Sequence, residues 1–81
     1  MTDDEALDLV TSALQRVAPD APLDAVGDDE TLQEGLGLDS IDFLNFVTAL
    51  QEGAGVEIPE QDYPRLLTFR GCIEYLASRC R

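Results

Sequence analysis

The sequence predicts an all-α fold: three strong helices, a short helical piece before the last of them, and a long loop after the first. Three observations carry that prediction. Apolar residues recur at helical spacing in three separate stretches, and Pro and Gly punctuate the intervals between them. Hydrophobic residues make up 44% of the chain, well above the content of an acidic disordered tail, so a packed core is expected. Eighty-one residues amount to one small domain, residues 1–81, with no room for a second of ordinary size.

The first helix spans Thr2 to Val17, with Ala6, Val10, Ala13, Leu14 and Val17 along one stripe. Thr2 and Glu5 have the spacing of a capping box, and Asp3, Asp4 and Glu5 suit the positive end of the helix dipole. Pro19 and Pro22 stop it. Residues 18–39 then lose the helical period, yet Leu23, Val26, Leu32, Leu36 and Leu38 recur through them. A connection this long is unusual in a compact domain, and its regular leucines suggest a segment pinned across the core. A short helical turn is expected within Asp29–Glu34.

Asp39 opens the second major helix as N-cap, with Asp42 at the third helical position. Phe43, Phe46, Val47 and Leu50 mark its core face. Ile41, Leu44, Asn45 and Thr48 repeat the same spacing on nearly the opposite side, so Ile41 and Leu44 should be partly exposed. Gly53 and Gly55 end the helix, and Val56-Glu57-Ile58-Pro59 reads as an extended connector. Glu60–Arg65 allows only a short helical piece, because Pro64 removes a donor inside it. Thr68 caps the last helix, whose stripe is Phe69, Cys72, Ile73, Leu76, Ala77 and Cys80. Cys72 and Cys80 lie about 12 Å apart along an intact helix, too far for a disulfide, and read as buried thiols in a reducing compartment, the alternative being a reactive Cys80 exposed by fraying of the C-terminus.

Charge excludes several functions. The chain carries 17 Asp/Glu against 5 Arg, with no Lys or His, for a net charge of −12. Nucleic acid and anionic membranes demand the opposite sign. Without His, the commonest general base and metal ligand are missing, and Asp24 to Glu30 lacks the register of a calcium loop. No catalytic residue and no metal site are assigned, and Asp28 with Asp29 reads as a pair of solvated loop acids. Residues 1–64 hold 16 acids and only Arg16 as a base, whereas residues 65–81 have a balance of +3. Such an acidic surface either keeps a small protein soluble or steers weakly bound, basic partners to itself. The acidic start and the lack of a long apolar run point to a soluble cytoplasmic protein.

Ser40 stands apart from the other polar residues. It sits in the first turn of an amphipathic helix after Gly37-Leu38, flanked by Asp39 and Asp42 and beside the outward Ile41. A helix-start serine is common, but a phosphate ester placed there would meet free N–H groups and the positive dipole end.

The run Gly35-Leu36-Gly37-Leu38-Asp39-Ser40-Ile41-Asp42 resembles the phosphopantetheine attachment motif of acyl carrier proteins, whose usual core is Asp-Ser-Leu. The resemblance extends over essentially the whole chain, through the long first loop, Glu57-Ile58-Pro59 and the Thr68 start of the last helix. It implies an antiparallel four-helix bundle with three major helices and a short third. It also implies that a separate transferase using magnesium esterifies Ser40 with 4′-phosphopantetheine from coenzyme A, and that the arm's thiol then holds an acyl group as a thioester. The second major helix would be the recognition element, through Asp39, Ile41, Asp42, Leu44, Asn45 and Thr48. Implied partners are the phosphopantetheinyl transferase, acyl-activating or acyl-transferring enzymes and ketosynthase-type enzymes, met by a monomer.

The departures from the family pattern are specific. Ile41 replaces the usual Leu, and Asn45, Gln51 and Gly53 stand where fatty-acid-type carriers often have Glu. This hints at a dedicated pathway. The expectation is therefore a freestanding acyl carrier for fatty-acid-like or polyketide-like assembly. Its alternatives are an aminoacyl or peptidyl carrier, and an acidic interaction module with no prosthetic group.

Overall fold

The structure, a computed structural model, describes residues 1–20, 26–27 and 29–79. Its elements are α1 (Asp3–Val17), α2 (Leu32–Leu36), α3 (Ser40–Ala54), a 3₁₀ helix (Glu60–Leu66) and α4 (Phe69–Arg79). The expected roles of Leu23, Asp24, Asp28 and Cys80 lie outside the described residues.

α1 starts as the sequence requires. The Glu5 N–H donates to the Thr2 hydroxyl, and the Thr2 N–H donates back to the Glu5 carboxylate. Those bonds to Thr2 hold the Glu5 carboxyl below its ordinary pKa. Ala6, Val10, Ala13 and Leu14 are buried, while Val17 in the last turn is only half-buried. Leu9 of α1 faces Gly53 near the end of α3, and Val17 lines a groove with Asp42 and Asn45 near its start. The two helices therefore run antiparallel. α1 also packs on α4, so it forms the spine of the bundle.

The long first connection contains a helix of its own. The turn expected at Asp29–Glu34 is instead the five-residue α2, Leu32–Leu36. Its position is set by Thr31, whose hydroxyl accepts the Glu34 N–H at 3.3 Å, so helix cannot begin upstream of that cap. Thr31 also pairs with Thr68, and the Leu32 N–H donates to the Leu67 carbonyl at 2.7 Å. With Leu32 and Leu38 buried, this bridge fastens the connection across the core.

The short piece before α4 also takes a tighter form than expected, a 3₁₀ helix over Glu60–Leu66. Pro64 withholds the N–H that an α-helical turn would use. The 3₁₀ helix is held from α4: the Tyr75 hydroxyl donates to Asp62 at 2.8 Å, and the Cys72 thiol donates to the Leu66 carbonyl at 3.3 Å. The guanidinium groups of Arg65 and Arg79 lie 4.8 and 5.3 Å from the centre of the Tyr75 ring. Tyr75 is fully buried, which the stripe read from sequence missed; Ile73 and Ala77, on that stripe, are only half-buried. A tyrosine is polar at its tip, and its burial depends on Asp62 lying within reach to accept the hydroxyl proton. Among the described residues no charged side chain is buried, and no helix is long and apolar enough to cross a membrane.

Two close approaches separate backbone from side-chain tolerance. A Cβ added at Gly71 would meet the Arg65 backbone carbonyl, whereas one at Gly53 would meet only the tip of the Leu9 side chain. Gly71→Ala should therefore lower the unfolding free energy by about 1–3 kcal/mol, since backbone must move. Gly53→Ala should stay within about 1 kcal/mol of the parent, because helix propensity offsets a small shift of Leu9. Urea midpoints of the two variants check this contrast.

Burial pushes the Cys72 thiol from an ordinary value of 9.0 up to about 12. Burial, and then the hydrogen bond to Asp62, raise the Tyr75 hydroxyl in the same direction. An acid whose pKa is raised on folding stabilises fully below its unfolded value and loses that contribution as pH rises through the folded one. The melting temperature should fall between pH 9 and 12, and Cys72→Ala should flatten part of that fall in a pH series.

Candidate functional site

The site is built at the join between α2 and α3. Gly37 ends α2 in the left-handed region, with φ 69° and ψ 31°, a conformation that glycine reaches without the cost a Cβ imposes. The next N–H, that of Leu38, donates to the Gln33 carbonyl at 3.0 Å, and the Leu38 side chain is buried. The chain is thus anchored on its core side one residue before α3 is capped.

Asp39 is extended and caps α3. Its carboxylate accepts the Asp42 N–H at 2.7 Å, and Asp42 reciprocates with a longer bond of 3.5 Å from the Asp39 N–H. Phe43 follows, buried, with its N–H on the Asp39 carbonyl and its ring edge-on to Tyr63 of the 3₁₀ helix. Between the cap and this aromatic anchor sits Ser40, the first residue of α3 and exposed. Its hydroxyl makes no hydrogen bond among the described residues. The N–H groups of Ser40 and Ile41 have no acceptor within the helix, as the geometry of a first turn dictates. An exposed, uncommitted hydroxyl thus stands at the positive end of a fifteen-residue helix dipole.

The outward face of α3 agrees with the sequence. Ile41 is 69% exposed and Leu44 49%, and Asn45 and Thr48 beside them are exposed as well. The Thr48 hydroxyl donates to the Leu44 carbonyl at 3.0 Å, leaving its oxygen free to accept. Asp39 and Asp42, read as handles for a partner, each also give one oxygen to the reciprocal cap. Asp29, one of the two loop acids, pairs with Arg70 at 3.1 Å. Among the described residues no cluster of possible metal ligands occurs.

Three features of α3 were not foreseen. Gln51 does not face a partner: its side-chain carbonyl accepts the Ile58 N–H at 2.8 Å and holds the connector to the 3₁₀ helix. Gly53 is the place where Leu9 packs. Two of the three positions lacking an acid therefore answer to packing, and Asn45 changes the exposed face. The third unforeseen feature is the pairing of Arg16 with Glu52 at 3.3 Å, which sequence separation concealed.

Comparison with known proteins bears on this arrangement. Residues 8–76 match the family described as "Phosphopantetheine attachment site". The chain belongs to the acyl carrier protein family. It is 37% identical to an acyl carrier protein of Campylobacter hominis over 75 residues, covering 93% of this chain and 89% of that one. It is 32% identical to that of Streptomyces coelicolor over 74 residues, covering 91% and 80%, and 33% identical to that of Lactobacillus johnsonii over 79 residues, covering 96% of each. The carrier bears 4′-phosphopantetheine and does no catalysis itself. An acidic module without a prosthetic group is thereby set aside. The residues fit such a group, since a free hydroxyl and unpaired N–H groups coincide at one helix end.

The geometry makes the cap testable. Asp39→Ala should cost about 1 kcal/mol of stability by denaturant titration, and Asp39→Asn should recover most of it.

Proposed function

We propose that Ser40 is the attachment point of the prosthetic group and that residues 1–81 act as one freestanding, monomeric carrier domain in the cytoplasm. Its partners are a phosphopantetheinyl transferase, acyl-activating or acyl-transferring enzymes and ketosynthase-type enzymes of fatty-acid-like or polyketide-like synthesis. The observation that carries this reading is the exposed, unbonded Ser40 hydroxyl, held between an aspartate cap and a buried phenylalanine.

The chain's own residues do the presenting. Leu38 and Phe43 fix the turn from the core side, so the Ser40 hydroxyl is displayed without ordering further backbone. Among the described residues no side-chain base is bonded to that hydroxyl, so the transferase removes its proton; as the new phosphate ester forms at Oγ, the pyrophosphate bond of coenzyme A breaks and adenosine 3′,5′-bisphosphate leaves. A phosphodiester on this oxygen is favoured by the positive end of α3 and opposed somewhat by Asp39 and Asp42. When bound, the arm supplies a terminal thiol that holds the acyl group as a thioester. Ile41 and Leu44 offer the apolar contact for docking, with Asn45 and Thr48 adding hydrogen-bonding groups beside them.

Incubation with coenzyme A, magnesium and a broad-specificity transferase should raise the intact mass by one phosphopantetheine. Ser40→Ala should abolish the gain while leaving the circular dichroism spectrum unchanged. A folded parent chain that gains no mass would overturn the assignment of Ser40.

A further inference from the structure

Alongside the outward face of α3 runs a groove of about 290 Å³ between α1 and α3. Its α3 wall is Asp42, Asn45, Thr48 and Glu52, and Val17 and Ala49 add apolar surface. The wall is rich in acceptors: two carboxylates, the Asn45 amide oxygen and the Thr48 oxygen, whose own proton is spent on Leu44. A wall of acceptors suits the charged head of a long basic side chain. One such side chain is already at the groove. Arg16, the only base in residues 1–64, reaches from α1 to Glu52 at 3.3 Å. Both members remain exposed, at 64% and 61%, so solvent and salt screen the pair and a competitor can displace it.

We infer that Arg16 is an intramolecular competitor for Glu52, covering that carboxylate in the groove until the basic surface of an enzyme docking on α3 displaces it. The inference rests on the reading of α3 as the docking helix. Asp42 and Glu52 are the only acids within α3, and Asp42 gives one oxygen to the cap of the helix. Arg16 therefore controls the carboxylate best placed to reward a basic partner. An enzyme must outbid an intramolecular guanidinium to use it, and a weakly basic surface gains little. Arg16 is in this sense a specificity-determining residue, acting through Glu52.

The test is the kcat/KM of a transferase that modifies this carrier, measured with the intact chain as substrate. At about 50 mM salt, Arg16→Gln should raise it roughly two- to fivefold, the worth of one exposed ion pair, and at about 0.5 M the gain should vanish. Glu52→Gln and the Arg16→Gln/Glu52→Gln double variant should show no gain. Arg70→Gln makes the same change in net charge and frees Asp29 elsewhere, so it should stay near the parent value. Equal gains in Arg16→Gln and Arg70→Gln would assign the effect to overall charge and overturn the inference, as would no change in Arg16→Gln. A parent chain that gains no mass speaks against Ser40 alone. The groove is then probed with N-acetylarginine amide, following the NMR amide signals of Asn45 and Thr48. Tighter binding in Arg16→Gln than in Arg70→Gln supports the inference, and identical binding overturns it.

Discussion

The reciprocal bond between Asp39 and Asp42 is the contact on which the site depends. A helix must leave its first N–H groups without internal acceptors, and here a carboxylate satisfies one of them while defining where α3 begins. Move the cap by one residue and the serine rotates by about 100°, away from solvent or onto another face. Two apolar anchors prevent that movement: Leu38 just before the cap and Phe43 just after the first turn. The polar contact sets the register, and the buried side chains hold it.

The same division of labour runs through the rest of the molecule. Thr2, Thr31, Asp39 and Thr68 each mark a helix start with a side-chain acceptor, and each is followed within four residues by a buried apolar side chain: Ala6, Leu32, Phe43 and Phe69. The bridge between Thr31 and Thr68 joins two of these starts, so the approach to the site and the start of the last helix share one fastening. Tyr75 and Asp62 do the equivalent for the 3₁₀ helix, which its own interrupted hydrogen bonding would hold poorly. Small bundles bury a limited fraction of their surface, and such local fastenings supply order that core area alone would not.

Much of this was legible in the residues. The caps at Thr2, Asp39 and Thr68, the buried face Phe43-Phe46-Val47-Leu50 and the outward Ile41 and Leu44 all follow from helical spacing and short-range polar chemistry. Most of what escaped the sequence depends on a partner outside the residue's own helix. The burial of Tyr75 needs Asp62 thirteen positions away, and the Arg16–Glu52 pair spans thirty-six. Gln51 looked like a missing surface charge because its partner, the Ile58 N–H, belongs to a connector with no periodicity of its own. The position of α2 was missed for a different reason, since five residues are too few for a helical period to declare itself.

The fate of Cys72 has a meaning beyond packing. Cargo held through sulfur is open to exchange with any thiolate that can reach it, so a protein built to carry such cargo is endangered by its own cysteines. Here the thiol is sealed inside the bundle, bonded to the Leu66 carbonyl, and kept protonated far above neutrality. The core thus harbours a sulfur atom that cannot steal the load.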